Sequence, residues 1–113
     1  MFQAITIPLI HVTITGDFLA GAMLSQLVEW DRENRARVQR EGKWWIPCPD
    51  KFWCDLFKVT PAHARKLRGI LNSSGLIQCK TWQTPTGGSV THIYFSRYAY
   101  NNALKIMIDS NVT

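Results

Sequence analysis

Two short helical patterns, separated by a tight turn and followed at once by a glycine-tipped hairpin, constrain the fold of this chain more than any other feature. Pro49 suits the first position of the first helix. Thr60-Pro61 opens the second, because a hydroxyl cap followed by proline is a strong helix start. Gly75 closes it, since glycine readily adopts the left-handed conformation that ends a helix. Residues 49–74 therefore predict a helix-turn-helix.

The segment that follows predicts a β-hairpin. Residues 76–84 and 89–96 have strand character, and the turn between them contains Gly87-Gly88. A final helix is predicted over residues 97–109, and the whole chain of 113 residues has the size of one domain. The predicted fold class is α+β, a winged helix-turn-helix with a C-terminal β-hairpin wing over residues 76–96 and a final helix.

The N-terminal third predicts an arm and a long helix. Residues 1–15 indicate an extended arm or edge strand, although residues 11–15 alternate in a way that also suits a lead-in to a helix. Asp17 is a good N-cap for an amphipathic helix with apolar residues at three- and four-residue spacing. We expect this helix to become polar after Trp30, continue into solvent and stop near Gly42. A short strand follows at residues 43–47.

Charge is concentrated in the centre of the chain. The net charge is +5, and residues 31–80 alone hold eleven Lys/Arg against five Asp/Glu. A basic surface suits a polyanion, meaning nucleic acid or an anionic membrane. The apolar stretches are far shorter than the ~20 residues of a membrane span, so no membrane partner is expected. An odd number of cysteines, three, fits a reducing cytoplasm better than a disulfide scaffold.

The second helix of the helix-turn-helix is the candidate recognition helix, because such a helix places its N-terminal residues at base edges in the major groove of double-stranded DNA. The candidate contacts lie off its apolar stripe: Thr60, Ala62, His63, Arg65, Lys66 and Arg68. Arg65 suits bidentate pairing with guanine, and Lys66 suits guanine or phosphate. An ordinary solvated helix face is the alternative interpretation. The order of the elements and three cations within four residues favour DNA.

The wing supplies further candidate contacts: Lys80, Gln83, Thr84, Thr86, Gly87, Gly88 and Ser89. Small polar residues with free amides can approach a phosphate backbone closely, although a tight turn needs glycine for its geometry alone. Trp82 shares a strand face with Lys80, and we expect it to be exposed near the wing, where it could stack on unpaired bases. The four arginines between residues 32 and 40 alternate with acids, which favours a solvated helix end over phosphate contacts.

Other chemistry is not indicated. The cysteines and histidines do not show the paired spacing of a metal site, so no metal or cofactor is expected. There is no nucleophile with a base at a recognisable spacing and no phosphate loop, so the chain is not expected to be an enzyme.

Four segments resemble one family. Residues 22–27 (Ala-Met-Leu-Ser-Gln-Leu), followed by Trp30, resemble the first helix of phage and plasmid replication initiators (replisome organisers), in which a Leu-Leu-Ser-Gln-Leu stretch precedes an aromatic. Residues 7–10 are similar to the lead-in of that domain, residues 42–45 to its Gly-Trp strand, and residues 67–77 to its recognition helix and the start of its wing. The resemblance covers about residues 5–95 and implies an N-terminal domain that binds DNA at an origin.

The resemblance leaves several possibilities open. Such initiators carry a further C-terminal region, so this chain is expected to be either a fragment or a stand-alone protein, the latter a transcriptional or copy-control regulator. A protein-interaction adaptor that inhibits a host complex is the alternative. A homodimer is expected to use the apolar residues of the arm or of the final helix, unless both segments cover their own core: Phe2, Ile5, Ile7, Leu9, Ile10, Tyr98, Tyr100, Leu104, Ile106, Met107 and Ile108.

Overall fold

The structure, a computed structural model, describes residues 8–35 and 38–110. In these ranges the elements are α1 (Leu9–Thr15), α2 (Phe18–Arg32), β1 (Val38–Arg40), β2 (Lys43–Pro47), α3 (Asp50–Phe57), α4 (Pro61–Ser73), β3 (Ile77–Gln83), β4 (Ser89–Phe95) and α5 (Arg97–Ser110). The strands form an antiparallel sheet in the order β1-β2-β4-β3. Helices α3 and α4 form the predicted helix-turn-helix, and β3 and β4 form the predicted hairpin. None of the described helices is long and apolar enough to cross a bilayer.

The local signals at the helix ends act as predicted. The carboxylate of Asp17 accepts a hydrogen bond from the backbone N–H of Ala20 at 2.9 Å, and the Thr60 hydroxyl accepts one from the N–H of His63 at 3.1 Å. Both bonds satisfy amides that have no partner within the helix. Gly75 follows α4 with φ +77°, in the left-handed region that glycine adopts without strain. Helix α4 therefore begins and ends where its sequence specifies, whereas α3 begins one residue later than predicted, at Asp50, with Pro49 as its N-cap.

The predicted extended arm over residues 1–15 is wrong in its second half, because α1 is a helix; residues 1–7 lie outside the described residues. His11 explains the difference. Its buried ring makes two short hydrogen bonds, Nδ1 to the Ser25 hydroxyl and Nε2 to the Tyr100 hydroxyl, each at 2.6 Å. These bonds hold α1 against α2 and α5, and this tertiary environment outweighs the local β propensity of the segment.

A close backbone approach accompanies this contact. A Cβ at Gly21 would lie 2.9 Å from the Cα of Val12, so only glycine lets α1 pack this tightly on α2. Burial lowers the pKa of His11, and the charge of Arg32 lowers it further. The neutral ring then has one donor nitrogen and one acceptor nitrogen, which matches two hydroxyl partners.

The predicted continuation of the first helix to Gly42 is also wrong. Helix α2 ends at Arg32, and Asn34 follows with φ +55°, a left-handed conformation that asparagine tolerates and that stops a helix. Glu41 and Gly42 both have positive φ, at +55° and +72°, and connect β1 to β2 as a two-residue hairpin turn. Of the charged residues predicted on one solvated helix, Asp31 and Arg32 end α2, Arg35 lies in the loop that follows, and Arg40 lies on the edge strand β1; Arg37 lies outside the described residues.

The core lies between α2, α3, α4 and the inner face of the sheet. Trp53 is its largest anchor: its ring centroid lies 5.0–5.7 Å from those of Trp30, Phe52 and Phe57. Leu67 and Ile93 are fully buried, as predicted, whereas Leu56 is half-buried. The buried residues of α4 (Ala64, Leu67 and Leu71) lie at helical spacing, so its opposite face is left to solvent.

Strands β2 and β4 are paired over only part of their length. Strand β2 pairs with β4 only near Ile46↔Ile93, and its first half pairs with β1 instead. The hairpin of β1 and β2 packs on β3 and β4 through Trp45, which is fully buried. The ring centroid of Trp45 lies 5.0 Å from that of Trp82 on β3 and 5.8 Å from that of Tyr94 on β4. Trp82 is therefore half-buried, and the prediction that it is exposed for stacking is wrong.

Candidate nucleic-acid interface

The six residues predicted on the recognition helix fall into two groups. Five are exposed at the N-terminal half of α4 or just before it: Thr60, Ala62, His63, Arg65 and Lys66. The sixth, Arg68, is largely buried. Helix α4 begins at Pro61 after the Thr60 cap. The free backbone amides of its first turn and these exposed side chains therefore lie at the same end of the helix, its N-terminus.

Arg65 and Lys66 form an uncompensated positive surface. Within residues 8–35 and 38–110, neither side chain has an ion pair or a hydrogen bond. The first turn of α4 contains no acidic residue either. The N-terminus of a helix carries a partial positive charge from its aligned peptide dipoles. Two free cations beside such a terminus favour an anionic partner.

Arg68 belongs to the structure of the helix-turn-helix, contrary to the prediction that it lies on the solvent face. Its side chain is 19% exposed, and its Nη2 lies 3.1 Å from Oδ2 of Asp50 at the start of α3. Burial lowers the pKa of Arg68, but bonds to the Cys79 thiol and to Asp50 raise it by more, so its net shift is upward. The ion pair therefore fixes α3 against the middle of α4.

We expect Arg68→Ala to lower the free energy of unfolding by about 1–3 kcal/mol, because the Asp50 carboxylate is then left poorly solvated and without its partner. Urea denaturation measures the loss. The double variant Asp50→Ala/Arg68→Ala should recover part of it, because no unpaired charge remains. Equal stability of Arg68→Ala and the unsubstituted protein would show that the pair does not hold the two helices.

The structure adds Lys58, which is not among the contacts predicted from the sequence. It ends α3 with φ +57° and ψ +49°, and its side chain is exposed. The backbone N–H groups of Lys58 and Val59 both donate to the carbonyl of Cys54, an arrangement that usually has glycine at this position. A lysine where glycine is the ordinary residue is the sequence signal that could have identified it. It places one more cation at the turn before α4.

The predicted contacts of the wing also fall into two groups, one cation that is already paired and several exposed residues. Lys80 donates to both carboxylate oxygens of Glu41, at 2.6 and 2.8 Å, so its charge is already paired by the β1–β2 hairpin. Gln83 is exposed at the last pair of the wing strands. The tip residues Thr86, Gly87 and Gly88 are also exposed.

The wing tip is a turn closed by its own hydrogen bonds. The N–H of Thr84 donates to the carbonyl of Gly88 at 2.7 Å, and the hydroxyls of Thr84 and Thr86 lie 3.1 Å apart. Gly87 has φ +96°, which explains why glycine is needed there. The described contacts do not bring the tip onto α4. The tip and the recognition helix are thus two exposed surfaces, connected through β3.

The three cysteine thiols lie in or against the hydrophobic core. Cys48 is buried beside Asp50, and burial raises its pKa to about 12, so it is protonated at neutral pH. Within the described ranges, no group of three potential ligands from His, Cys, Asp and Glu is assembled.

Comparison with known proteins bears on the fold. No protein-family model matches the chain, and no curated protein sequence matches it. One solved structure, described as the N-terminal domain of a DNA-binding protein, superposes with a TM-score of 0.52 over 95% of this chain and 88% of that one. The sequence identity is 11%, so the likeness concerns the fold. The predicted α+β, winged-helix fold class is confirmed.

Proposed function

We propose that this protein binds double-stranded DNA, with the N-terminal half of α4 in the major groove and the wing tip at the phosphate backbone. The observation that carries the proposal is the free pair Arg65 and Lys66 on the exposed face of α4. The cations of Arg68 and Lys80, by contrast, are paired with carboxylates. The structural neighbour, itself described as part of a DNA-binding protein, supports the same partner.

Each exposed group has a role that suits its chemistry. Arg65 can donate two parallel hydrogen bonds to one guanine, which gives sequence discrimination. Lys66 and Lys58 act as point charges for phosphates, and the N-terminus of α4 adds backbone amides. Gly87 and Gly88 are exposed and have no side chain, so the backbone of the wing tip can approach a phosphate closely. Binding of this kind needs no cofactor and no catalytic step.

We further propose a role in replication initiation or its control on a phage or plasmid, on the strength of the resemblance of residues 5–95 to replication initiators. Reading two half-sites would require a homodimer. Helix α5 packs Tyr100 against the core and leaves Leu104 and Met107 half-buried, whereas Tyr98, Ile106 and Ile108 are exposed. Part of the apolar surface that the sequence predicts for a second copy therefore remains on this helix.

The test is a fluorescence anisotropy titration of duplex DNA over a range of salt concentrations. We expect the logarithm of the binding constant to fall linearly with the logarithm of salt, with a slope of roughly −2 to −3 if two or three phosphates are neutralised. A monomer with no duplex affinity at low salt would contradict DNA binding. It would instead favour an adaptor whose basic face meets an acidic protein surface.

A further inference from the structure

A groove of about 690 Å³ opens where β2 and β4 separate. Lys43 and Trp44 of β2 line one side, and Tyr94 of β4 lines the other. The first turn of α5 adds Arg97 and Tyr98. None of the lining residues belongs to α4 or to the wing tip, so this groove is separate from the surface described above. Its volume lies within the range of small-ligand pockets, roughly 300–1,000 Å³.

Two large aromatic rings in this groove are exposed. Trp44 is 54% exposed and Tyr98 is 85% exposed, although the neighbouring Trp45 is fully buried. Trp44 stands on the same side of β2 as the buried Ile46 but in the half of the strand that pairs with the edge strand β1. Apolar surface gathered in a concave site indicates a ligand more strongly than singly scattered residues do.

Two cations accompany these rings. Asp31 holds the guanidinium of Arg97 through Nε at 2.9 Å and Nη2 at 3.1 Å, which neutralises the carboxylate. A guanidinium has five N–H donors, and this pairing uses two of them. The ammonium of Lys43, whose side chain leaves β2 on the face opposite Trp44, lies 5.2 Å from the ring centroid of Tyr94 and donates to the side-chain carbonyl of Gln78 at 2.8 Å. With one carboxylate and two cations among its lining residues, the groove has a net positive charge.

We propose that this groove binds unpaired nucleotides of single-stranded DNA, with bases stacked on Trp44 and Tyr98 and a phosphate held by the remaining N–H donors of Arg97, while Lys43 adds positive charge to the groove. Stacking on aromatic rings beside a basic groove is the way proteins hold single strands without sequence preference. The net positive charge favours a polyanion over an apolar peptide. The site acts on single strands, whereas α4 acts on duplex, so the same molecule can engage a junction between the two.

The experiment uses anisotropy of a labelled short oligothymidylate, which forms no duplex. Trp44→Ala and Tyr98→Ala are each expected to weaken its binding about 5- to 100-fold, because each removes one stacking ring. Tyr98→Phe keeps the ring and should bind as the unsubstituted protein does. Phe18→Ala is the matched control, since Phe18 is an aromatic residue of similar exposure, 62%, outside the groove.

A second comparison separates this site from the duplex surface. The double variant Arg65→Ala/Lys66→Ala should bind oligothymidylate as before, even where it fails on duplex. Equal binding by Trp44→Ala, Tyr98→Ala and the unsubstituted protein would overturn the proposal, as would an absence of single-strand binding at low salt or an equal loss in Phe18→Ala. Thermal melts accompany each variant. Because Tyr98 is almost fully exposed, its variant decides the result if Trp44→Ala melts early.

Discussion

Ile93→Ala is expected to lower the free energy of unfolding by about 2–5 kcal/mol. Ile93 is fully buried at the centre of β4, paired with Ile46 on one side and Cys79 on the other. Because ladder hydrogen bonds fix the backbone on both sides, the structure cannot collapse into the cavity that the substitution leaves. Domains of this size have total stabilities of about 5–15 kcal/mol, so this one side chain carries a large share. Urea denaturation measures the loss.

Leu67→Ala should cost a similar amount, since Leu67 is equally buried on α4, whereas the half-buried Leu56 should cost less. Ile108→Ala is the matched control: it removes the same groups as Ile93→Ala from an exposed helix position, where changes stay within about 0.5 kcal/mol. If Ile93→Ala were as mild as Ile108→Ala, the packing of the wing on the helices described above would be incorrect.

Arg65→Ala and Lys66→Ala are each expected to weaken duplex binding by about 1–3 kcal/mol, or about 5- to 100-fold. Both side chains leave the apolar stripe and have no described partner, so the melting temperature should change little. The two losses should differ in kind. Arg65→Ala should reduce discrimination between sequences, whereas Lys66→Ala, if it removes a phosphate contact, should weaken all duplexes and reduce the salt slope by about one unit.

Lys105→Ala provides the control for net charge, because it removes one positive charge from an exposed position on α5. Its effect on duplex binding should be small, since charges away from the contact are screened over about 10 Å at ordinary ionic strength. If the double variant Arg65→Ala/Lys66→Ala bound duplex as well as the unsubstituted protein, α4 would not be the recognition helix. The basic surface would then serve another partner.

Local signals in the sequence predicted the helix-turn-helix, the glycine-tipped wing and the exposed contacts at the start of α4. These features depend on short-range chemistry. Thr60-Pro61 starts a helix because a hydroxyl satisfies a free amide and proline lacks one. Gly75 and Gly87 adopt positive φ because they have no Cβ. Helical spacing alone separates the buried Leu67 from the exposed Lys66.

Other features were decided by contacts between residues distant in sequence. Two hydrogen bonds of the buried His11 hold α1 against α2 and α5, and the segment is helical although its local pattern also suits an extended chain. Helical spacing places Arg68 on the solvent face of α4, but in the structure it pairs with Asp50, eighteen positions earlier in the chain. Likewise, periodicity could not tell which tryptophan is exposed, because it identifies the face of a strand but not the element that covers that face. The β1–β2 hairpin covers Trp82, whereas Trp44, in the half of β2 that pairs with the edge strand β1, stays exposed.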